Sequence, residues 1–175
     1  MKQATVLATL LAGMLSGCAS LGEVPTAKLA SATIRTASGL PVGTALFTAA
    51  GEKLTLTVAV AGLPTGPHGI HLHTIGRCDA PDFSSAGGHL NPMARQHGSM
   101  NPAGTHLGDL PNLTIDSQGK GTFSIEISAT REATLTALFD SDGAAIVIHA
   151  AADDYKTDPT GNSGARIACG VLTRS

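Results

Sequence analysis

The sequence contains no tryptophan, one tyrosine and four phenylalanines in 175 residues. With so few large aromatic side chains, the hydrophobic core must be built mainly from aliphatic residues. The chain also lacks a basic tract, because its 11 lysines and arginines stand against 13 aspartates and glutamates, for a formal charge of −2. A nucleic-acid partner is therefore not expected, and neither is direct binding to an anionic lipid surface.

The sequence has no apolar run long enough to cross a membrane as a helix. Its N-terminal run extends from Ala4 to Leu15, after Met1 and Lys2, whereas a spanning helix needs about 20 residues. A short apolar run behind a positive charge is typical of an export signal.

The apolar run ends in Leu15-Ser16-Gly17-Cys18, which is similar to a bacterial lipobox. We expect residues 1–17 to be removed and Cys18 to carry a lipid; the alternative is ordinary signal-peptidase cleavage near Ala19. Both predict export, in a bacterium to the periplasm, with membrane contact only through an anchor at Cys18. Residues 18–26 are then a tether, and residues 27–175 are long enough for one domain with a core of its own.

Cysteine is scarce, with three residues in the chain. If Cys18 is lipidated or cleaved away, Cys78 and Cys169 remain. In an exported protein two remaining cysteines favour one disulfide, and two buried free thiols are the alternative. The disulfide would close a loop of about 90 residues, which the chain-entropy model values at roughly 4 to 5 kcal/mol.

No segment shows a convincing helical period, whereas β-strand patterns recur. In "KLTLTVAVAGL", Leu54, Leu56, Val58 and Val60 alternate with smaller or polar residues, as in a half-buried antiparallel strand. Turn signals at Gly39, Gly51 and Gly62 separate successive strands. We predict an all-β protein, an eight-stranded antiparallel Greek-key barrel or immunoglobulin-like sandwich. It carries two long functional loops, residues 76–109 and 152–165.

Histidines are the main candidates for functional residues. The chain has seven, and six of them lie between residues 68 and 106. The residues are His68, His71, His73, His89, His97 and His106, and the seventh is His149. His71 and His73 stand at i and i+2 of a predicted strand, so their side chains share one face and can converge on a metal. Neutral imidazole is a good ligand for copper and zinc.

Five motifs together resemble the copper/zinc superoxide dismutase family, from about Lys28 to Leu172. They are "HGIHLHTIGRC", "SAGGHLNP", "HLGDL", "IVIHAAADD" and "GNSGARIACGV". The resemblance implies copper held by His71, His73, His89 and His149. It implies zinc held by His89, His97, His106 and Asp109, with His89 bridging the two ions.

The same resemblance implies roles for residues beyond the ligands. Asp153 would link His71 to His97 through hydrogen bonds, fixing the rings. Arg166 would receive the anionic substrate beside the copper, and His89 would carry a proton during catalysis. His68 matches no ligand position, and we interpret it as a bystander.

The function implied is dismutation of superoxide to O2 and H2O2 by alternating reduction and oxidation of copper, beside a structural zinc. This enzyme would protect against extracytoplasmic superoxide, as a monomer or homodimer. One alternative is a non-catalytic copper- and zinc-binding or copper-delivery lipoprotein, which could lose a copper histidine or the arginine without unfolding. Another, a zinc hydrolase, needs an open zinc position and a general base, which the sequence does not distinctly supply.

Overall fold

The computed structural model describes residues 25–175. The predicted signal sequence, Cys18 and most of the predicted tether lie outside this range. Within it are ten strands and one α-helix: β1 Thr26–Thr36, β2 Pro41–Ala50, β3 Lys53–Ala61, β4 Gly66–His68, β5 Ile70–His73, β6 Leu113–Ile115, β7 Lys120–Glu126, α1 Arg131–Leu138, β8 Ala145–His149, β9 Arg166–Val171 and β10 Thr173–Arg174. No helix in residues 25–175 is both long and apolar enough to span a bilayer.

Eight of these strands form one curled antiparallel sheet. Its order is β5-β8-β9-β1-β2-β3-β7, with β10 also paired to β1, and a separate two-stranded sheet joins β4 to β6. Strands distant in the chain are neighbours in this sheet, as a Greek key requires, so the prediction of an all-β, antiparallel Greek-key fold is confirmed. The two predicted long loops are confirmed as well, and they connect β5 to β6 and β8 to β9.

The core lies inside the curled sheet and is aliphatic, as the composition predicts. The inward row of β3 is Leu54, Leu56, Val58 and Val60, each at most 6% exposed. The fully buried phenylalanine among the core strands is Phe47 of β2.

Strands β5 and β8 are buried on both faces, and this places the functional site. On β5, Ile70 and Leu72 point into the barrel core, whereas His71 and His73 occupy the opposite face and are also fully buried. The long loops cover that outer face. It is therefore enclosed without being part of the hydrophobic core, so buried polar side chains can meet there.

The helix α1 corrects the expectation of a chain without helices. Thr130 caps it, since its side-chain oxygen accepts a hydrogen bond from the backbone N–H of Ala133 at 3.2 Å. Only Thr134 and Leu138 of its eight residues are buried. Two buried positions in two turns give too weak a periodic signal to distinguish this helix from a loop.

Cys78 and Cys169 form a disulfide with a Cα–Cα distance of 5.7 Å. The predicted disulfide is confirmed, and the alternative of two free thiols is wrong. The bond fixes the start of the β5–β6 loop to strand β9.

Candidate metal centre

The outer face of β5, the end of β8 and the β5–β6 loop bring the seven predicted metal ligands together. They form two groups of possible metal donors that share His89: His71, His73, His89 and His149, and His89, His97, His106 and Asp109. Within each group one donor atom per residue lies within 4.8 Å of all the others. Strand β5 supplies two donors, the end of β8 supplies His149, and the β5–β6 loop supplies the rest.

In the first group, one ring nitrogen of each histidine is buried without a hydrogen-bond partner in the described part of the chain. These atoms are His71 Nδ1, His73 Nε2, His89 Nε2 and His149 Nε2. Buried polar atoms are almost always hydrogen-bonded, so four unpaired nitrogens converging on one place need a shared partner. A metal ion that accepts four imidazole nitrogens satisfies this requirement.

The remaining ring nitrogens of this group hold the rings in orientation. His73 Nδ1 donates to the Gly87 carbonyl at 2.9 Å, and His149 Nδ1 donates to the Gly164 carbonyl at 3.1 Å. A ring that donates from one nitrogen presents a lone pair on the other, and that lone pair is what a metal needs. The backbone thus fixes the tautomer in which Nε2 is free.

The donor atoms of the second group have tetrahedral spacing. Asp109 Oδ1 lies 2.9, 3.0 and 3.1 Å from the Nδ1 atoms of His89, His97 and His106, respectively. His89 Nδ1 lies 3.3 Å from His97 Nδ1 and 3.4 Å from His106 Nδ1. Ligands about 2.0 to 2.1 Å from a tetrahedral zinc ion would be roughly 3.3 to 3.4 Å apart. The group therefore fits a closed zinc site.

The other oxygen of Asp109 keeps the carboxylate in place. Asp109 Oδ2 accepts hydrogen bonds from the Gly98 N–H at 2.9 Å, the His106 N–H at 3.0 Å and the Thr105 hydroxyl at 2.8 Å. Burial alone would raise the pKa of Asp109, but its bond to His89 and these donors outweigh burial and lower that pKa. The carboxylate is thus ionised at neutral pH and ready to bind a cation.

Asp153 connects the two groups, as the resemblance implies. His71 Nε2 donates to Asp153 Oδ2 at 2.7 Å, and His97 Nε2 donates to Asp153 Oδ1 at 3.0 Å. One buried carboxylate thus orients one histidine of each donor group. Burial raises the pKa of Asp153, whereas the bonds from the two histidines and the Tyr155 N–H lower it, and the net shift is downward.

Sequence reasoning missed the residues that hold Asp153 in position. Asn112 pairs with its backbone in both directions: Asn112 Nδ2 donates to the Asp153 carbonyl at 2.9 Å, and the Asp153 N–H donates to Asn112 Oδ1 at 2.8 Å. The Asn112 N–H in turn donates to the Tyr155 hydroxyl at 2.7 Å. Asn112 stands in a chance glycosylation pattern, Asn112-Leu113-Thr114, and no local signal marks Tyr155.

Arg166 lies at the start of β9, where it is paired with His149 of β8. Its guanidinium donates to the carbonyls of Phe83 and Gly87, each at 2.7 Å. The Gly87 carbonyl therefore accepts from both Arg166 and His73. A cation is held beside the first donor group in one orientation, and the Cys78–Cys169 disulfide fixes the same loop.

His68 lies outside both donor groups but is not on the surface. It is 3% exposed, and its ring nitrogens lie 2.7 Å from the His149 carbonyl and 2.9 Å from the Pro64 carbonyl. The interpretation as a bystander misses this contact, through which His68 supports the backbone of a donor residue.

We expect the metal-free protein to lose stability as the pH falls below about 6.5. Burial, the largest cause, lowers the pKa of His89 to about 4 and that of His149 to about 3 from the ordinary value of 6.5. Between these values the unfolded chain binds protons that the folded chain does not. Each histidine then removes up to about 1.4 kcal/mol of stability per pH unit. Urea unfolding at pH 7 and pH 5 measures this, and equal or greater stability at pH 5 would contradict it.

Comparisons with known proteins identify the family. The family model described as copper/zinc superoxide dismutase (SODC) matches residues 42–172. The chain is 44% identical over 111 residues to a protein named superoxide dismutase [Cu-Zn] 1 from Aquifex aeolicus, covering 62% of this chain and 66% of that protein. It is 40% identical over 147 residues to superoxide dismutase [Cu-Zn] from Caulobacter vibrioides, covering 82% and 84%.

A superoxide dismutase-like protein from Bacillus subtilis is 44% identical over 124 residues, which span 69% of this chain and 63% of that protein. The matches to the Aquifex and Bacillus proteins therefore span slightly less than two thirds of those relatives. A crystal structure of a superoxide dismutase-like protein from Bacillus subtilis matches with a TM-score of 0.75 at 38% identity, covering 82% of this chain and 97% of that one. The chain belongs to the copper/zinc superoxide dismutase family, whose metals are copper and zinc.

Proposed function

We propose that this chain removes superoxide by dismutation, in which two superoxide ions and two protons give O2 and H2O2. The observation that carries the proposal is the shared position of His89. Its Nε2 is one of the four unpaired buried nitrogens, and its Nδ1 is one of the four tetrahedrally spaced donors. One ring thus faces two metal positions, as a bridged copper/zinc pair requires.

We assign copper to His71, His73, His89 and His149, because four imidazole nitrogens suit copper. When bound, copper supplies the one-electron oxidation and reduction that the reaction needs. The protein's part is to orient the four rings and to keep bulk water away from them. Both follow from the burial of these rings and from the bonds that fix their outer nitrogens.

His89 is the residue we assign to proton transfer. Its Nε2 has no hydrogen-bond partner in residues 25–175, so it can accept a proton whenever it is not bound to a metal. Its Nδ1 stays 2.9 Å from the Asp109 carboxylate, which keeps the ring in place. His89 would therefore hold and donate the proton at one fixed atom, its Nε2, within the first donor group.

Arg166 is the residue we assign to substrate binding. Superoxide is an anion, and a fixed cation beside the metal both attracts and orients it. The two carbonyls that hold the guanidinium leave it half-buried rather than fully enclosed. His89 and Arg166 are thus the residues proposed to act on the substrate directly.

We assign zinc to His89, His97, His106 and Asp109. These three nitrogens and one carboxylate oxygen would supply all four ligands of a tetrahedral zinc, as is typical of a structural site. This assignment also argues against a zinc hydrolase, which needs a water on the metal.

Replacement of Tyr155 by phenylalanine is expected to accelerate zinc loss severalfold. The variant removes the hydroxyl that accepts the Asn112 N–H, at a cost of about 1 kcal/mol, and loosens the loop that carries Asp153. The rate of zinc transfer to a chelator measures the effect. Thr114→Ser, which alters a side chain two residues after Asn112 but keeps its hydroxyl, is the control. An unchanged zinc-release rate in Y155F would contradict the role given to Tyr155.

We further propose that residues 1–17 are a lipoprotein signal peptide and that Cys18 carries a lipid. Residues 18–26 would then tether a domain of residues 27–175 to a membrane facing the bacterial periplasm. Strand β1 includes Thr26, one residue before the proposed domain boundary. Mass spectrometry of the mature N-terminus tests this, and an unmodified N-terminus near Ala19 supports the alternative cleavage. We propose a monomer or a homodimer, which a mass measurement in solution decides.

The test of the proposed activity is superoxide removal by the purified mature domain loaded with copper and zinc. We expect rapid removal that cyanide inhibits. A fully metal-loaded but inactive protein would overturn the enzyme proposal and favour a non-catalytic metal-binding lipoprotein. The completeness of the site argues against that alternative, because both donor groups and Arg166 are present.

A superoxide dismutase-like protein from Bacillus subtilis is a useful reference for this activity assay. A solved double mutant of that protein has a tyrosine and a proline replaced by histidine. In the present sequence all six of the imidazole positions assigned to metals are histidine. Superoxide removal measured for both proteins under one protocol therefore compares a chain that has all six histidines with a protein named only as superoxide dismutase-like.

A further inference from the structure

The substrate arginine holds a short turn that follows an acidic residue. Arg166 donates to the carbonyls of Phe83 and Gly87, which flank the 3-10 turn Ser84–Ala86. Asp82 precedes Phe83, and its Oδ1 accepts the Ser84 N–H at 3.0 Å and the Ser84 hydroxyl at 2.9 Å. These bonds fix an exposed carboxylate just before the turn that Arg166 binds.

Asp82 and Arg166 also act on each other electrostatically. The two hydrogen bonds from Ser84 are the main reason that the pKa of Asp82 lies below its usual value, and the charge of Arg166 lowers it further. Burial lowers the pKa of Arg166, whereas the charge of Asp82 raises it. Asp82 is directly followed by Phe83, whose carbonyl accepts a hydrogen bond from the Arg166 guanidinium at 2.7 Å, so the carboxylate lies near enough to offset part of the field of the guanidinium.

We propose that Asp82 is a fixed negative charge beside the anion-binding arginine and slows the capture of small anions, superoxide included. This inference rests on the substrate-binding role proposed for Arg166. A unit charge several ångströms from an approaching anion, largely in water, changes its local concentration by about two- to threefold. Asp82 touches neither metal donor group, so its effect is on the encounter with the anion rather than on the metals.

Other carboxylates near this loop act differently. Asp79 forms an ion pair with Arg77, so its charge is already compensated. Asp109 and Asp153 are buried among hydrogen-bond donors of the metal centre. Asp82 differs from them because it is exposed and its donors are neutral groups of Ser84.

The test is Asp82→Asn, which removes the charge and keeps an Oδ1 acceptor for Ser84. Asp82→Ser is a second neutral variant, since serine also caps turns of this kind. The matched control is Asp116→Asn, because Asp116 Oδ1 accepts the Gln118 and Lys120 N–H groups in the same manner, at 2.8 and 2.9 Å. Asp116 lies in the β6–β7 turn, outside the loop that Arg166 binds.

In both Asp82 variants we expect kcat/KM for superoxide to rise about two- to threefold at low ionic strength. The gain should vanish near 1 M salt, where the screening length is about 3 Å. D116N should match the wild type at every salt concentration. A merely structural role for Asp82 would not produce this dependence on ionic strength.

Azide titration of the copper-loaded protein, followed by its absorption, gives a readout without catalysis. We expect the affinity for azide to rise by the same two- to threefold in both Asp82 variants. Tighter azide binding supports the inference even if the loaded protein proves inactive, so the two proposals fail separately. An unchanged or weaker azide affinity in D82N, with kcat/KM no higher than in the wild type, overturns it.

Discussion

Replacement of His149 by alanine is expected to abolish superoxide removal while zinc stays bound. His149 contributes its unpaired Nε2 to the first donor group and has no donor atom in the second. Loss of residues that merely support metal ligands costs 10- to 100-fold in affinity or activity, so loss of a ligand should cost more than about 100-fold. Metal analysis of the loaded, dialysed variant and an assay of superoxide removal measure the two effects together.

The reciprocal variant is His106→Ala, because His106 belongs only to the second group. It should lose zinc, whereas H149A should lose copper, and the pair of variants separates the two sites. Survival of activity in H149A would show that the copper assignment is wrong. Loss of zinc from H149A would show that the two groups do not bind their metals separately.

Removal of the disulfide is expected to cause the largest loss of stability. Cys78 and Cys169 are 91 residues apart, and the chain-entropy model assigns a loop of this length about 4 to 5 kcal/mol. We therefore expect the variant with both cysteines replaced by serine to lose about 4 kcal/mol of unfolding free energy, measured in urea without metals. Most proteins have a stability of only 5 to 15 kcal/mol, so the variant should be close to unfolding at 37 °C.

The matched control for this variant is the wild-type protein after chemical reduction. Reduction opens the same loop without changing any side chain, so reduced wild type and double variant should have similar unfolding midpoints. If both are as stable as the oxidised protein, the loop closure contributes nothing. If only the double variant is weak, the serine hydroxyls and not the open loop are responsible.

The sequence predicts the strands and the His71–His73 pair because both rest on local patterns, whereas the full donor set follows from the family resemblance. Alternation along β3 and the His71–His73 spacing are properties of neighbouring residues, which strand geometry converts directly into faces. The helix α1 is missed because its buried side is confined to Thr134 and Leu138. Its capping residue, Thr130, gives no stronger signal by itself.

Contacts between distant segments are the part that local patterns cannot give. Asn112 and Asp153 are 41 residues apart, and Arg166 reaches the Phe83 carbonyl across 83 residues. Such pairs form only once the barrel has brought the two long loops to one face. Family resemblance supplies the expected role of Asp153, but the residues that hold it, Asn112 and Tyr155, are visible only in the folded chain.

The bond between Tyr155 and Asn112 has a spectroscopic consequence. Because the chain has no tryptophan and Tyr155 is its only tyrosine, its near-ultraviolet emission comes chiefly from one ring. The hydroxyl of that ring accepts the Asn112 N–H, and the Tyr155 backbone N–H donates to Asp153. The Tyr155 carbonyl accepts the Met100 N–H of the other long loop at 2.9 Å. Metal uptake and loop closure can therefore be followed in the unlabelled protein by the fluorescence of a single residue.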